Sequence, residues 1–119
     1  MTPGSPLSCF MEEWVCYLEA HGHCVTQSPD ETDPLLSHDR QGRHYRWLLR
    51  CEADDFVLLL PADRKRLRSQ ARQARRAGEW CYLAVKFGHP AGKAVVLPAK
   101  HACHLKGLCS SMGGIPWEC

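Results

Sequence analysis

The first 39 residues contain no lysine or arginine, and all 15 bases of this 119-residue chain lie beyond them. A basic leader region is therefore missing, and Glu12 and Glu13 interrupt the opening apolar stretch. A signal peptide is thus not expected, and the expected location is the cytoplasm. Long hydrophobic runs are also missing. The longest, such as residues 56–60, are far too short to span a bilayer, which excludes membrane-spanning helices. Neither a repeat nor a long linker divides the chain, so a single domain over residues 1–119 is expected, large enough for a real core. Acids are absent between Asp63 and Glu79, leaving that stretch without internal charge compensation.

What is present is a split in charge. Residues 1–39 carry Glu12, Glu13, Glu19, Asp30, Glu31, Asp33 and Asp39, so the net charge of +2 hides an acidic block followed by a basic one. Such asymmetry points to a polyanionic partner. Apolar and charged fractions of 45% and 24% are those of an ordinary globular protein. Eight cysteines is a high number, but Cys9, Cys16, Cys51 and Cys81 sit inside apolar segments, where free thiols act as small buried hydrophobes. Mostly free thiols are expected.

Ser5-Pro6 reads as a helix start. Leu7, Phe10, Met11, Trp14 and Leu18 then recur at helical spacing and predict an amphipathic helix to Ala20. A short strand is expected over 23–27 and a polar loop over 28–34. Leu35 and Leu36 open a second strand that turns at Asp39-Arg40-Gln41-Gly42. The return strand, 43–51, alternates Tyr45, Trp47, Leu49 and Cys51 against His44, Arg46 and Arg50. An extended run over 56–60 precedes Pro61, which opens a second helix closed by Gly78. Strands over 80–87 and 93–97 form a hairpin around residues 88–92, and residues 99–119 form a Cys-, His- and Gly-rich tail without periodicity. A central sheet of about five strands flanked by helices, an α/β domain, is the natural packing solution.

The second helix carries Arg64, Lys65, Arg66, Arg68, Arg72, Arg75 and Arg76 around a narrow stripe of Leu67, Ala71, Ala74 and Ala77. A solvated helix usually mixes charge signs for support between neighbouring turns. Here only one sign occurs, so phosphate contact is the expectation, with Arg46 and Arg50 extending the surface from the neighbouring strand.

Glu52 lies just past an apolar strand, with Asp54 two residues on, and a hairpin would carry Asp33 toward them. These hard oxygen ligands suit Mg²⁺ or Mn²⁺. Equally, Glu52, Asp54 and Asp55 fit a polar turn paired with Arg50 or Arg46. Over about residues 7–98 the chain resembles the PD-(D/E)XK nuclease superfamily, most nearly the archaeal Holliday-junction resolvases. The pattern runs from a helix with an acid through an Asp opening the second strand to an apolar strand ending in Glu52. A Gln-bearing helix then leads to Tyr82-Leu83-Ala84-Val85-Lys86-Phe87 and Ala94-Val95-Val96-Leu97-Pro98. The resemblance implies a restriction-endonuclease-like fold and metal-dependent cleavage of branched or duplex DNA. It implies Glu13 (or Glu12) as the helix acid, Asp33 and Glu52 as metal ligands, and Gln70 or Gln73 as the helix polar residue. Where the family usually has Lys the chain has Asp54, which leaves open a shifted base such as Lys65, and the usual Pro-Asp pair is inverted to Asp33-Pro34. In the family that Lys helps orient the attacking water. A homodimer is compatible with the apolar strands.

His101, Cys103, His104 and Cys109 offer N and S ligands, as do His21, His23 and Cys24, but neither set supplies the two closely spaced pairs of a zinc site. Zinc is accordingly not expected. Three functional classes follow: a metal-dependent endonuclease, a non-catalytic nucleic-acid-binding or regulatory protein on the same scaffold, and a small zinc-stabilised interaction module.

Overall fold

The computed structural model describes residues 6–26, 34–88 and 93–110. Helix α1 (Pro6–Ala20) precedes β1 (Cys24–Val25), β2 (Leu35–His38), β3 (His44–Glu52) and β4 (Phe56–Leu58). Helix α2 (Pro61–Ala77), β5 (Glu79–Phe87), β6 (Lys93–Pro98), the short α3 (Ala99–Ala102) and β7 (Gly107–Cys109) follow. The central sheet has five strands in the order β1-β2-β3-β5-β6. Strands β3 and β5 run parallel, from His44 opposite Glu79 to Glu52 opposite Phe87, and the other pairs are antiparallel. A parallel pair needs a crossover, which the β4–α2 segment supplies.

The two faces of this sheet hold separate cores. On one, Phe10, Trp14 and Leu18 of α1 pack against Leu35, Trp47, Ala84 and Val96. The Trp14 ring meets the Trp47 ring edge-on at 5.1 Å. On the other, Leu67 of α2 packs with Leu48, Leu83, Val85, Phe87 and Val95. Each fully buried side chain of this size contributes about 1.5–3 kcal/mol.

Local chemistry sets the turns and ends. Between β2 and β3, the Asp39 carboxylate accepts hydrogen bonds from the N–H groups of Gln41 and Arg43, both at 2.9 Å, and Gly42 adopts the left-handed φ of 82°. Pro61 starts α2 where its missing N–H is harmless, and the Asp63 carboxylate accepts the Leu60 N–H at 2.9 Å. Gly78 ends the helix in the left-handed conformation, φ 72°.

Three details differ from the sequence-based expectation. The first strand is only Cys24–Val25. The apolar stripe of α2 stops at Ala74, because Ala77 is exposed on the last turn. Part of the expected featureless tail is core: Ala99, Ala102, Cys103 and Leu108 are buried, and β7 pairs with β4 in a separate two-stranded ribbon. These elements are three and four residues long, too short for periodicity to register. The ribbon requires glycine at position 107, where a β-carbon would collide with the Val57 carbonyl and the Phe56 ring. Among the described residues the cysteines are free thiols, and no helix is long and apolar enough to cross a membrane.

Candidate functional site

Alternation along β3 and β5 sorts their side chains between the two faces. Tyr45, Trp47, Leu49 and Cys51 of β3, with Tyr82 and Ala84 of β5, join the core under α1. Lys86 continues that series. Its ammonium donates to both oxygens of Glu13 on α1, at 2.5 and 2.8 Å. Cys51 lies directly across the ladder from Lys86, and burial pushes its thiol up to about 11 despite the nearby ammonium. Sequence reasoning passed over Lys86 as a functional residue. Its signal was a lone charge in the run Leu83-Ala84-Val85-Lys86-Phe87, in phase with Tyr82 and Ala84.

Glu52 belongs to the opposite face. It opposes Phe87, a member of the core under α2. Its carboxylate accepts from Arg50 Nε at 3.1 Å, and Arg50 Nη1 lies 3.4 Å from Asp63 Oδ2 on α2. The structure thus does not bring Glu13 and Glu52 together, because the sheet lies between them. The pairing of Glu52 with Arg50 is the polar-turn arrangement that the sequence left open. Asp54 is exposed in the bend after β3, and Glu12 is exposed on α1. Asp33 lies outside the described residues; the described β2–β3 ladder ends where Leu35 opposes Trp47. On β3, the side chains sharing the face of Glu13 are Tyr45, Trp47, Leu49 and Cys51, none of them a carboxylate. Among the described residues no group of three or more His, Cys, Asp or Glu side chains is arranged to hold a metal ion. Glu13 and Glu52 do not fit a shared Mg²⁺ or Mn²⁺ ion. Of the sulfur and imidazole candidates, Cys103 is buried with its thiol donating to the Lys100 carbonyl at 3.3 Å, while His101 and His104 are exposed. Cys109 lies on β7, and His21, His23 and Cys24 lie around the end of α1 and the start of β1.

The basic residues divide into two groups. Arg46 is committed internally, its side chain only 14% exposed. Its Nε donates to Glu79 Oε1 at 2.9 Å, and Nη1 donates to Gln70 Oε1 at 2.8 Å and Gln73 Oε1 at 3.1 Å. One guanidinium thus ties β3, β5 and α2 together and occupies both glutamines that the resemblance assigned to a site. Arg50 is held between Glu52 and Asp63, and half-buried Arg64 donates to the Leu59 carbonyl at 3.1 Å. These three side chains make internal contacts, so they are less free than the remaining bases of α2 to extend a phosphate-binding surface. Lys65, Arg68, Arg72, Arg75 and Arg76 are exposed on α2 with no acidic partner among the described residues. Among the described residues the largest cluster of such cations is therefore on the outer side of α2.

No family model matches this chain, and no curated protein matches it either. Its structure is similar to that of Hjc, a Holliday junction resolvase from the archaeal hyperthermophile Archaeoglobus fulgidus, with a TM-score of 0.62. The match covers 81% of this chain and 75% of the resolvase at 15% identity. At that identity the likeness establishes the fold, which is restriction-endonuclease-like: a mixed five-stranded sheet flanked by helices.

Proposed function

We propose that this protein binds nucleic acid, DNA in the first instance, through the phosphate backbone along the outer side of α2. The observation that carries this reading is the row Lys65, Arg68, Arg72, Arg75 and Arg76, exposed without acidic partners among the described residues. Unpaired like charges on successive turns destabilise an isolated helix, and a polyanion relieves that repulsion while its counterions are released. The shared fold with a Holliday junction resolvase supports the same reading.

A non-catalytic role fits better than phosphodiester hydrolysis at Asp33, Glu52 and Asp54. Glu52 is turned to the α2 face and held by Arg50, and the β3 positions beneath α1 carry Leu49 and Cys51 instead of acids. One observation favours hydrolysis as a second reading: Glu13 and Lys86 place an acid and a base together on the α1 face. In that reading Asp33 is required along with this pair, and Glu52 and Asp54 are dispensable.

Two measurements test these readings. Affinity for a DNA duplex should fall with salt, and R68A/R72A/R75A should reduce the salt slope by roughly one unit per cation removed. An affinity indifferent to salt and to these substitutions sinks the binding proposal. Incubating duplex and four-way-junction DNA with Mg²⁺ or Mn²⁺ should yield no cleavage. Cleavage lost in Asp33→Ala and Lys86→Met but kept in Glu52→Ala would establish the second reading instead.

A further inference from the structure

Strand β6 is shorter than its neighbour β5. Their ladder ends where Pro98 opposes Tyr82, and the chain turns there into α3. Among the described residues, residues 79–81 of β5 therefore have β3 on one side and no strand on the other. A groove of about 1060 Å³ opens at this edge, between the C-terminal half of α2 and α3. Its charged lining consists of Arg68, Arg72 and Arg75 from α2, Lys100 from α3, and Glu79, which is already neutralised by Arg46. Trp80 stands in it with 55% of its surface exposed, stacked on no other ring among the described residues. His101 and His104 complete the polar side.

An indole left this exposed costs hydrophobic free energy, and no core requires it at that position. Phe56, Leu58 and Leu60 are also exposed, but they lie on and after β4, away from this groove. Trp80 is an exposed large apolar side chain that shares this groove with cations. By alternation Trp80 belongs with Tyr82 to the α1 side of β5, and at this open edge it lines the groove whose other wall carries Arg68, Arg72, Arg75 and Lys100. An exposed π-face beside a cationic wall is an arrangement that holds unpaired bases: phosphates follow the cations while a base stacks on the ring. A duplex keeps its bases stacked internally and offers no face to the indole.

Resting on the nucleic-acid reading above, we infer that this groove binds a single-stranded segment, with one unpaired base stacked on Trp80 and its flanking phosphates on Arg68, Arg72, Arg75 and Lys100. The competing occupant, an acidic peptide adding a strand to the β5 edge, would use the same charges without needing the indole face.

The test compares the wild type, Trp80→Ala and Trp80→Phe against a dT oligonucleotide, a duplex of the same length and an oligo-glutamate peptide. Trp80 is exposed, so all three proteins should unfold at the same midpoint. Trp80→Ala should weaken dT binding roughly 5- to 100-fold, leave duplex binding within about twofold, and leave the salt slope of both unchanged. Trp80→Phe should recover most of the loss, because a ring face remains. Equal losses on both nucleic acids, or no loss on either, overturn the stacking assignment while the salt-dependent duplex affinity still upholds the broader reading. Oligo-glutamate bound more tightly than dT overturns it in favour of a peptide. Salt-independent binding of both nucleic acids sinks the broader reading first and the groove with it.

Discussion

The two faces of the sheet are built on different principles. Beneath α1 the core gathers large rings, Trp14, Trp47, Phe10 and, at its margin, Tyr45 and Tyr82, around Leu18, Leu35, Ala84 and Val96. Tyr82 stacks on Trp47 with centroids 5.1 Å apart. Beneath α2 the helix offers only Leu67, Ala71 and Ala74, so it sits close on the strands and leaves most of its circumference to Arg and Lys. Its attachment is reinforced by the polar clamp at Arg46. One helix thus serves mainly stability, and the other carries a surface of like charges, the one proposed to meet phosphates.

Removing Trp14, 2% exposed, is the harshest way to break that contrast. Trp14→Ala should cost about 3–5 kcal/mol in chemical denaturation, since the cavity lies between a helix and a rigid sheet. Arg72→Ala, an exposed position on α2, should stay within about 0.5 kcal/mol. Comparable losses at both positions would mean that the cationic face is part of the stabilising structure.

The Arg46 clamp should rank next. Arg46→Ala leaves Glu79, at 16% exposure, without its cation and deprives Gln70 and Gln73 of their donor. A loss of about 2–3 kcal/mol is expected. The double variant with Glu79→Ala should lose much less than the sum of the two single changes. Strict additivity in that cycle would show that the contacts are incidental and return Arg46 to the set of surface cations.

Much of the fold was legible because periodicity reports burial. Phe10, Met11, Trp14 and Leu18 are buried on α1 as their spacing predicts, and the turn at Asp39–Gly42 follows from its side-chain chemistry. The site was less legible, for two physical reasons. Parity along a strand decides the face, so Glu52, one residue beyond Cys51, lies across the sheet from Glu13 although both belong to the same sequence motif. Pairing of distant charges leaves no local trace: Arg46 meets Glu79 33 residues away, and Lys86 meets Glu13 73 residues away. The Lys86 pair sharpens the comparison at smaller scale. Glu13 is 48% exposed, so Lys86→Met should change stability by less than about 1 kcal/mol, which guanidine titration resolves. A larger loss would make the pair a structural support of the α1 face instead of an acid–base group open to solvent.

The smallest expected effect concerns protons at the edge of the aromatic face. Trp47 Nε1 donates to the Ser37 hydroxyl at 3.0 Å, and that hydroxyl lies 3.1 Å from His23 Nδ1. With its oxygen accepting from Trp47, the Ser37 hydroxyl can donate a hydrogen bond to Nδ1 of a neutral imidazole. Burial lowers the His23 pKa below 6.5; Asp39 opposes the shift, while His21, Arg43 and His38 add to it. The folded state therefore binds fewer protons at this site than the unfolded chain. Stability should be full above about pH 6.5 and fall as the pH drops through that value toward the lower folded pKa. His23→Asn should flatten this part of the profile, read as a smaller shift of unfolding midpoint on acidification below about pH 6.5 than in the wild type. Superimposable profiles would show that His23 titrates as it does in the unfolded chain, so that the aromatic face ends at Ser37 and its edge is open to water.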